Sequence, residues 1–87
     1  MTYWVEYKDT WRENLMTDSV IKARRAVYLP LSTKRYGTKA WIFSGKNTEF
    51  PIGEMEMDKH GNVFWRSEKN GTRGKRHIVM PSGEFYN

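Results

Sequence analysis

Only one segment of the chain carries the periodicity of a helix, and this limits the folds that are open to it. In "DSVIKARRAVYLP" apolar residues recur at the 3.6-residue spacing of a helix face, and they are Val20, Ala23 and Val27. Asp18 and Ser19 are start signals and Pro30 is a stop signal, so the pattern predicts a helix at about residues 18–29. The short side chains of Ala23 and Ala26 would let this helix lie close to a sheet.

Five other segments have the alternation or the apolar run that is typical of strands. They are "TYWVEYK" (2–8), "AWIFS" (40–44), "IGEMEMD" (52–58), "VFWRSE" (63–68) and "RHIVM" (76–80). The stretches "GKNTEFP", "KHGN" and "KNGTRGK" between the later segments are typical of the turns of antiparallel hairpins. Thr10 and Glu13 have the spacing of a helix capping box, which leaves residues 10–17 open as either helix or loop. The order predicts a single α+β domain over 1–87: a small single-layer antiparallel sheet of three to five strands with one helix packed on one face, in the order β-α-β-β-β(-β).

The chain is short and has no cysteine, and both facts limit how it reaches a stable fold. A domain of 87 residues buries only about 60–65% of the surface that its unfolded chain exposes, so its core needs large side chains, and the thirteen aromatic residues meet that need. The absence of cysteine excludes a disulfide scaffold and thiolate metal sites. No apolar stretch approaches the roughly 20 residues of a membrane helix, and the amino terminus does not resemble a signal peptide, so we expect an intracellular, cytoplasmic protein.

Positive charge is concentrated in the middle of the sequence. The net charge is +5, and residues 19–48 contain no acid but seven cations: Lys22, Arg24, Arg25, Lys34, Arg35, Lys39 and Lys46. On the predicted helix Lys22 and Arg25 point away from the apolar positions, and Arg24 lies at their border. A positive surface of this kind attracts anions over a Debye length of about 8–10 Å. Ordinary solubility is the alternative explanation of the charge.

The segment "FWRSEKNGTRGKRHIV" at 64–79 raises a functional question. Its Asn-Gly pair is typical of a tight hairpin turn, so backbone geometry explains the turn. Backbone geometry does not explain why Arg73, Lys75 and Arg76 follow the turn without an intervening acid. Basic side chains near a loop tip reach phosphate groups easily, and each neutralised phosphate adds to the affinity at low salt.

Aromatic residues occur on both faces of the predicted strand 63–68. Alternation places Trp65 with Val63 on one face, and Phe64 with Arg66 on the other. Because a single helix covers only one face of a sheet, one of the two aromatic rings is expected on the uncovered face. An exposed ring beside an arginine stacks on unpaired bases or anchors a protein interface, and core filling is the simpler alternative.

No catalytic or cofactor motif is evident in the sequence. His60 and His77 form a metal site with Asp58 only if the last two hairpins bring them together. "GTRGKRH" lacks the spacing of a Walker loop, and neither histidine has a serine or acid partner set by a sequence pattern. Glu54, Glu56 and Asp58 alternate along one strand face and are expected to form a solvated edge or an acidic stripe that faces a partner. We therefore expect a protein without enzymatic activity, cofactor or metal, unless a symmetric dimer assembles a site.

Two functions agree with these features. The first is a small basic module that binds DNA or RNA, mainly through the phosphate backbone. Its candidate residues are Lys22, Arg25, Lys34, Arg35, Lys39, Arg66, Arg73, Lys75 and Arg76, with Trp65 or Phe64 stacking on bases. The alternative is a protein-binding inhibitor or adaptor that docks its basic face on an acidic partner surface, and self-association into a homodimer is a further possibility. In size and composition alone, the chain is similar to accessory proteins of bacteriophages, some of which inhibit host enzymes.

Overall fold

A computed structural model describes residues 2–45 and 49–86 and shows one helix packed on an antiparallel sheet. The described elements are β1 (Tyr3–Tyr7), β2 (Glu13–Asn14), α1 (Val20–Ser32), β3 (Lys39–Ser44), β4 (Gly53–Met57), β5 (Val63–Lys69) and β6 (Thr72–Ile78). Neighbouring strands lie in the order β2-β1-β3-β4-β5-β6, and each pair is antiparallel. The predicted α+β class with one helix on the sheet is confirmed, although the described sheet has six strands rather than three to five. The predicted turn "GKNTEFP" contains residues 46–48, which lie outside the described residues, as does Lys46 of the basic block.

The additional strand is β2, and it lies within residues 10–17, for which the sequence allows either a helix or a loop. Its residues pair with Trp4 and Val5 of β1, and the Leu15 N–H donates to the Tyr3 carbonyl at 2.9 Å. These bonds satisfy backbone groups along the outer edge of β1. Pairing with the sheet therefore outweighs the weak capping-box signal in the sequence.

The last strand, β6, begins at Thr72, earlier than the predicted strand 76–80. The reason is the tight turn before it, in which Asn70 and Gly71 both have positive φ angles, 51° and 84°. A two-residue turn of this kind lets cross-strand pairing begin immediately after it. Arg73, which the sequence places in a loop, therefore lies on a paired strand at the edge of the sheet.

The helix α1 continues past the predicted stop signal. Ser19 caps its start by accepting a hydrogen bond from a first-turn N–H at 3.3 Å. The sequence predicts an end at Pro30, but Pro30 lies within the helix. Proline lacks an N–H and so removes one backbone hydrogen bond, but the Thr33 N–H still donates to the Leu29 carbonyl at 3.0 Å and holds the last turn. No helix within the described ranges is long and apolar enough to cross a membrane.

The core lies between α1 and one face of the sheet. Its fully buried residues include Val5, Ala23, Val27, Leu31, Ala40, Ile42, Met55 and Val63. Ala23 permits the close approach predicted for it, whereas Ala26 is exposed. Tyr7 is also buried, and its burial, with a smaller effect of Glu13, raises the pKa of the Tyr7 hydroxyl to about 12.

Trp65 fills the core beside β4, and Gly53 makes room for it. Trp65 is 5% exposed and lies opposite Met55 on the face that α1 covers. A Cβ atom built on Gly53 would overlap the indole ring of Trp65. Glycine at this position therefore lets the ring come close to the strand backbone.

The C-terminal segment, residues 80–86, folds back against α1. A Cβ atom built on Gly83 would overlap the carbonyl of Ile21 in the helix. Arg24 is buried rather than at the border of the apolar positions, and its Nε donates to the Gly83 carbonyl at 2.7 Å. Its guanidinium lies 4.3 Å from the ring centroid of Phe85. Burial lowers the pKa of the Arg24 guanidinium, and the hydrogen bond and ring contact hold the segment in place.

Candidate functional site

The structure divides the ten predicted binding residues between two surfaces and the core. Lys22 and Arg25 are exposed on α1, and Lys34 and Arg35 follow its end, so these four belong to the helix side of the molecule. The uncovered face of the sheet carries a pocket whose lining includes four predicted cations: Lys39, Arg66, Arg73 and Arg76. Lys75 is exposed on β6 but is not part of that lining. The basic block 19–48 is therefore divided: Lys39 joins the hairpin cations on the uncovered face, and the cations on and just after α1 lie on the helix side.

Of the two aromatic candidates for stacking, Phe64 is on the uncovered face and Trp65 is not. Trp65 is buried under α1, so its ring does not reach a ligand at the surface, which corrects its place among the candidate residues. Phe64 is half-buried, and the Arg76 guanidinium lies 3.8 Å from its ring centroid. Phe64 is therefore the residue of this pair whose ring lies on the uncovered face.

The uncovered face carries nearly as many acids as cations. The strand register gives two rows across the sheet: Glu6, Trp41, Glu54, Arg66 and Arg76 in one, and Lys39, Glu56, Phe64 and Ile78 in the other. Together with Arg12, Arg73 and Glu68, which form ion pairs on this face, the described residues supply five cations and four carboxylates. The face is therefore close to neutral, and its positive charge is local.

Glu54 is a buried carboxylate near the middle of this face. Its side chain is 7% exposed, and Nη2 of Arg73 donates to both of its oxygens, at 2.9 and 2.8 Å. Nζ of Lys39 lies 3.8 Å from Glu54 Oε2 and adds a second cation. The solvated edge expected for Glu54, Glu56 and Asp58 is wrong, because β4 is an inner strand and Glu54 is buried in it, although Glu56 is exposed. The alternative, an acidic stripe that faces a partner, stays a prediction.

Two further cation–ring contacts lie on the uncovered face. The Arg12 guanidinium is 3.7 Å from the Phe43 ring centroid, and Lys39 Nζ is 5.7 Å from the Trp41 ring centroid. Sequence reasoning missed Phe43 and Trp41, because "AWIFS" has the pattern of an apolar run without a polar face. It missed Arg12, because the sequence leaves residues 10–17 open as either helix or loop. A signal for them existed in β1, where alternation places Trp4 away from the core and pairing with β3 continues that face to Phe43.

The two histidines lie in a turn and on an edge strand. The N–H groups of His60 and Asn62 donate to Asp58 Oδ1 at 2.9 and 3.0 Å. Slight burial raises the pKa of Asp58, but these hydrogen bonds outweigh it and leave the pKa below its usual value. His77 stacks on Phe85, with ring centroids 4.6 Å apart. In the part of the chain that the structure describes, no three His, Asp or Glu side chains are placed to hold a metal ion.

We expect Arg73→Ala to lower the free energy of unfolding by about 1–3 kcal/mol, although the Arg73 side chain is half-exposed. The substitution removes the donor that contacts both oxygens of the buried Glu54 carboxylate. The other described cation near this carboxylate, Lys39, is 3.8 Å away. Glu54→Gln should cost less, because an amide keeps a hydrogen-bond acceptor for Arg73 and Arg73 can also turn to water. Urea unfolding measures both variants, and a larger cost for Glu54→Gln would contradict this account of the pair.

No protein-family model, curated protein or solved structure matches the chain. The function is therefore inferred from the charges and aromatic rings of the uncovered face.

Proposed function

We propose that the protein is a binding module for single-stranded nucleic acid, and that the uncovered face of the sheet is its binding surface. The observation that carries this proposal is the convergence of Lys39, Arg66, Arg73 and Arg76 around the half-buried ring of Phe64. Proteins hold unpaired strands with cations for the backbone and accessible aromatic rings for the bases. The role is one of binding rather than catalysis.

Two of these cations are available to phosphates. Arg73 and Lys39 neutralise Glu54, whereas Arg66 and Arg76 form no ion pair among the described residues. Each phosphate contacted in a single strand contributes about −0.7 to the slope of log affinity against log salt. Two such contacts predict a loss of affinity of only about sevenfold between roughly 50 and 200 mM salt. The near-neutral face thus predicts weaker salt dependence than a strongly basic protein shows.

Two half-buried rings supply the second part of the surface. Trp41 lies on β3 and Phe64 on β5, with one strand between them. Neighbouring strands are about 4.8 Å apart, so these two strands are separated by roughly 10 Å. A flexible unpaired strand can follow such a surface, whereas the bases of a duplex stack on one another and do not reach it. Single strands are therefore the expected ligand.

The variant Arg66→Gln/Arg76→Gln tests this surface. Both cations lie on the uncovered face and neither supports Glu54, so the fold should be retained. We expect fluorescence anisotropy to show roughly tenfold weaker binding of a labelled single-stranded oligonucleotide at about 50 mM salt. The matched control is Lys22→Gln/Arg25→Gln, which removes the same charge from the exposed side of α1 and should change the affinity less than about twofold.

Two results would count against the proposal. Equal losses in the two double variants would show that net charge matters and that the sheet face does not. Failure of the wild-type protein to bind single-stranded DNA or RNA at about 50 mM salt would overturn the nucleic-acid function itself.

A protein partner is the second candidate, and two observations favour it. Trp11, in the loop between β1 and β2, is 93% exposed, and exposed tryptophans are typical anchors of protein interfaces. The last strand, β6, ends the described sheet with seven exposed residues, and an edge of this kind can pair with a strand of a partner. For an inhibitor or adaptor of this kind, Trp11→Ala should weaken partner binding and leave oligonucleotide binding unchanged.

A further inference from the structure

The pocket on the uncovered face places two arginines directly opposite each other. Arg66 of β5 and Arg76 of β6 are cross-strand partners, and like charges in such positions are destabilising. Neither guanidinium has an ion-pair partner in the ranges that the structure describes. Glu54 lies opposite Arg66 on the other side, but its carboxylate is bound by Arg73. An anion between the two guanidinium groups would relieve their repulsion.

The size of the pocket suits a small anion. Its volume is about 100 Å³, which is room for more than one water molecule. One tetrahedral oxyanion fits such a space. Arg76 already rests on the Phe64 ring at 3.8 Å, so one guanidinium is held in position before a ligand arrives.

The charge of the pocket favours a dianion. Its lining contains four cations and two carboxylates, Glu54 and Glu56, which leaves a net charge of +2. A terminal phosphate carries about −1.5 to −2 at pH 7, because its second pKa is about 6. An internal phosphodiester carries about one negative charge. A terminal phosphate also offers three oxygens to the planar donors of two arginines.

We propose that this pocket binds the terminal phosphate of a nucleic-acid strand, with Arg66 and Arg76 as its principal ligands. The inference rests on the proposed nucleic-acid function and adds that the protein recognises a strand end. The rest of the strand lies across Phe64 and Trp41, and in a strand with hydroxyl ends an internal phosphate, with its smaller charge, contacts the same two arginines.

The test uses one single-stranded sequence with an internal fluorophore in three forms: with a 5′ phosphate, with a 3′ phosphate, and with hydroxyl groups at both ends. We expect one phosphorylated form to bind about tenfold more tightly than the hydroxyl form at low salt. Arg66→Gln and Arg76→Gln should each remove this preference, and Lys22→Gln/Arg25→Gln should retain it. Inorganic phosphate that replaces chloride at constant ionic strength should compete with the phosphorylated form and spare the hydroxyl form. Circular dichroism melts establish that each variant is folded.

The outcomes separate this inference from the function on which it rests. Equal affinities for all three forms would overturn the terminal-phosphate site and leave the nucleic-acid function standing. No binding of any form would overturn both. If inorganic phosphate raises the midpoint of thermal unfolding through Arg66 and Arg76 but the phosphorylated strand gains no affinity, the pocket takes free phosphate only and the inference of a strand end is wrong.

Discussion

Gly83→Ala is expected to lower the free energy of unfolding by about 2–6 kcal/mol. Gly83 has a φ angle of +91°, at which an L side chain is strained. An added Cβ would overlap the Ile21 carbonyl and lie 2.8 Å from the Arg25 backbone nitrogen, and both atoms belong to the backbone of α1. A shift of the segment to avoid them would also lengthen the 2.7 Å bond from Arg24 Nε to the Gly83 carbonyl and leave a buried guanidinium without that acceptor.

Gly61→Ala is the control that isolates the steric part of this effect. Gly61 has a φ angle of +87°, close to that of Gly83, but a Cβ there meets no described atom within 4 Å. Its substitution should therefore cost only the backbone strain, about 1–2 kcal/mol. Urea unfolding followed by tryptophan fluorescence measures both variants. If Gly83→Ala cost no more than Gly61→Ala, the C-terminal segment would not lie against α1 as the structure has it.

The helix and most strands can be predicted from the sequence because each carries its own local signal. The burial of Val5 and Tyr7 in β1 follows directly from alternation, and the buried stripe of α1 follows from its 3.6-residue spacing. The predictions are wrong where backbone hydrogen bonding outweighs a local signal. The hydrogen bonds of the last helical turn outweigh the stop signal of Pro30, and pairing between β2 and β1 outweighs the capping box at Thr10.

The candidate site is less predictable because it depends on contacts between distant segments. The sequence marks Arg66, Arg73 and Arg76 as basic. It does not show that Arg73 binds Glu54, nineteen residues earlier, and leaves Arg66 without an ion pair among the described residues. The near-neutral charge of the uncovered face likewise depends on the register of several strands at once. That register also decides which face Trp41 occupies, since both faces of β3 are apolar.

Trp65→Ala is expected to lower the free energy of unfolding by about 3–5 kcal/mol, because it empties part of the core beneath α1. A domain of this length has a total stability of only about 4–13 kcal/mol, so the loss is a large part of the whole. Gly53→Ala provides an internal check on the mechanism. In the wild-type protein the added Cβ overlaps the Trp65 ring and should cost about 1–3 kcal/mol, whereas in Trp65→Ala it enters vacated space and should be neutral or stabilising. Additive costs in the double variant would contradict the contact between these two residues.

Trp41→Ala is the companion variant to Trp65→Ala, and we expect it to change the affinity for nucleic acid more than the stability of the fold. Trp41 is half-buried on the uncovered face, so the variant should fold with a smaller loss of stability. Because a stacked base contributes about 1–3 kcal/mol, its affinity for a single-stranded oligonucleotide should fall roughly 5- to 150-fold. Unchanged affinity in a folded Trp41→Ala would mean that bases do not stack on β3. The binding surface would then be confined to β5 and β6, where Phe64 and the opposed arginines lie.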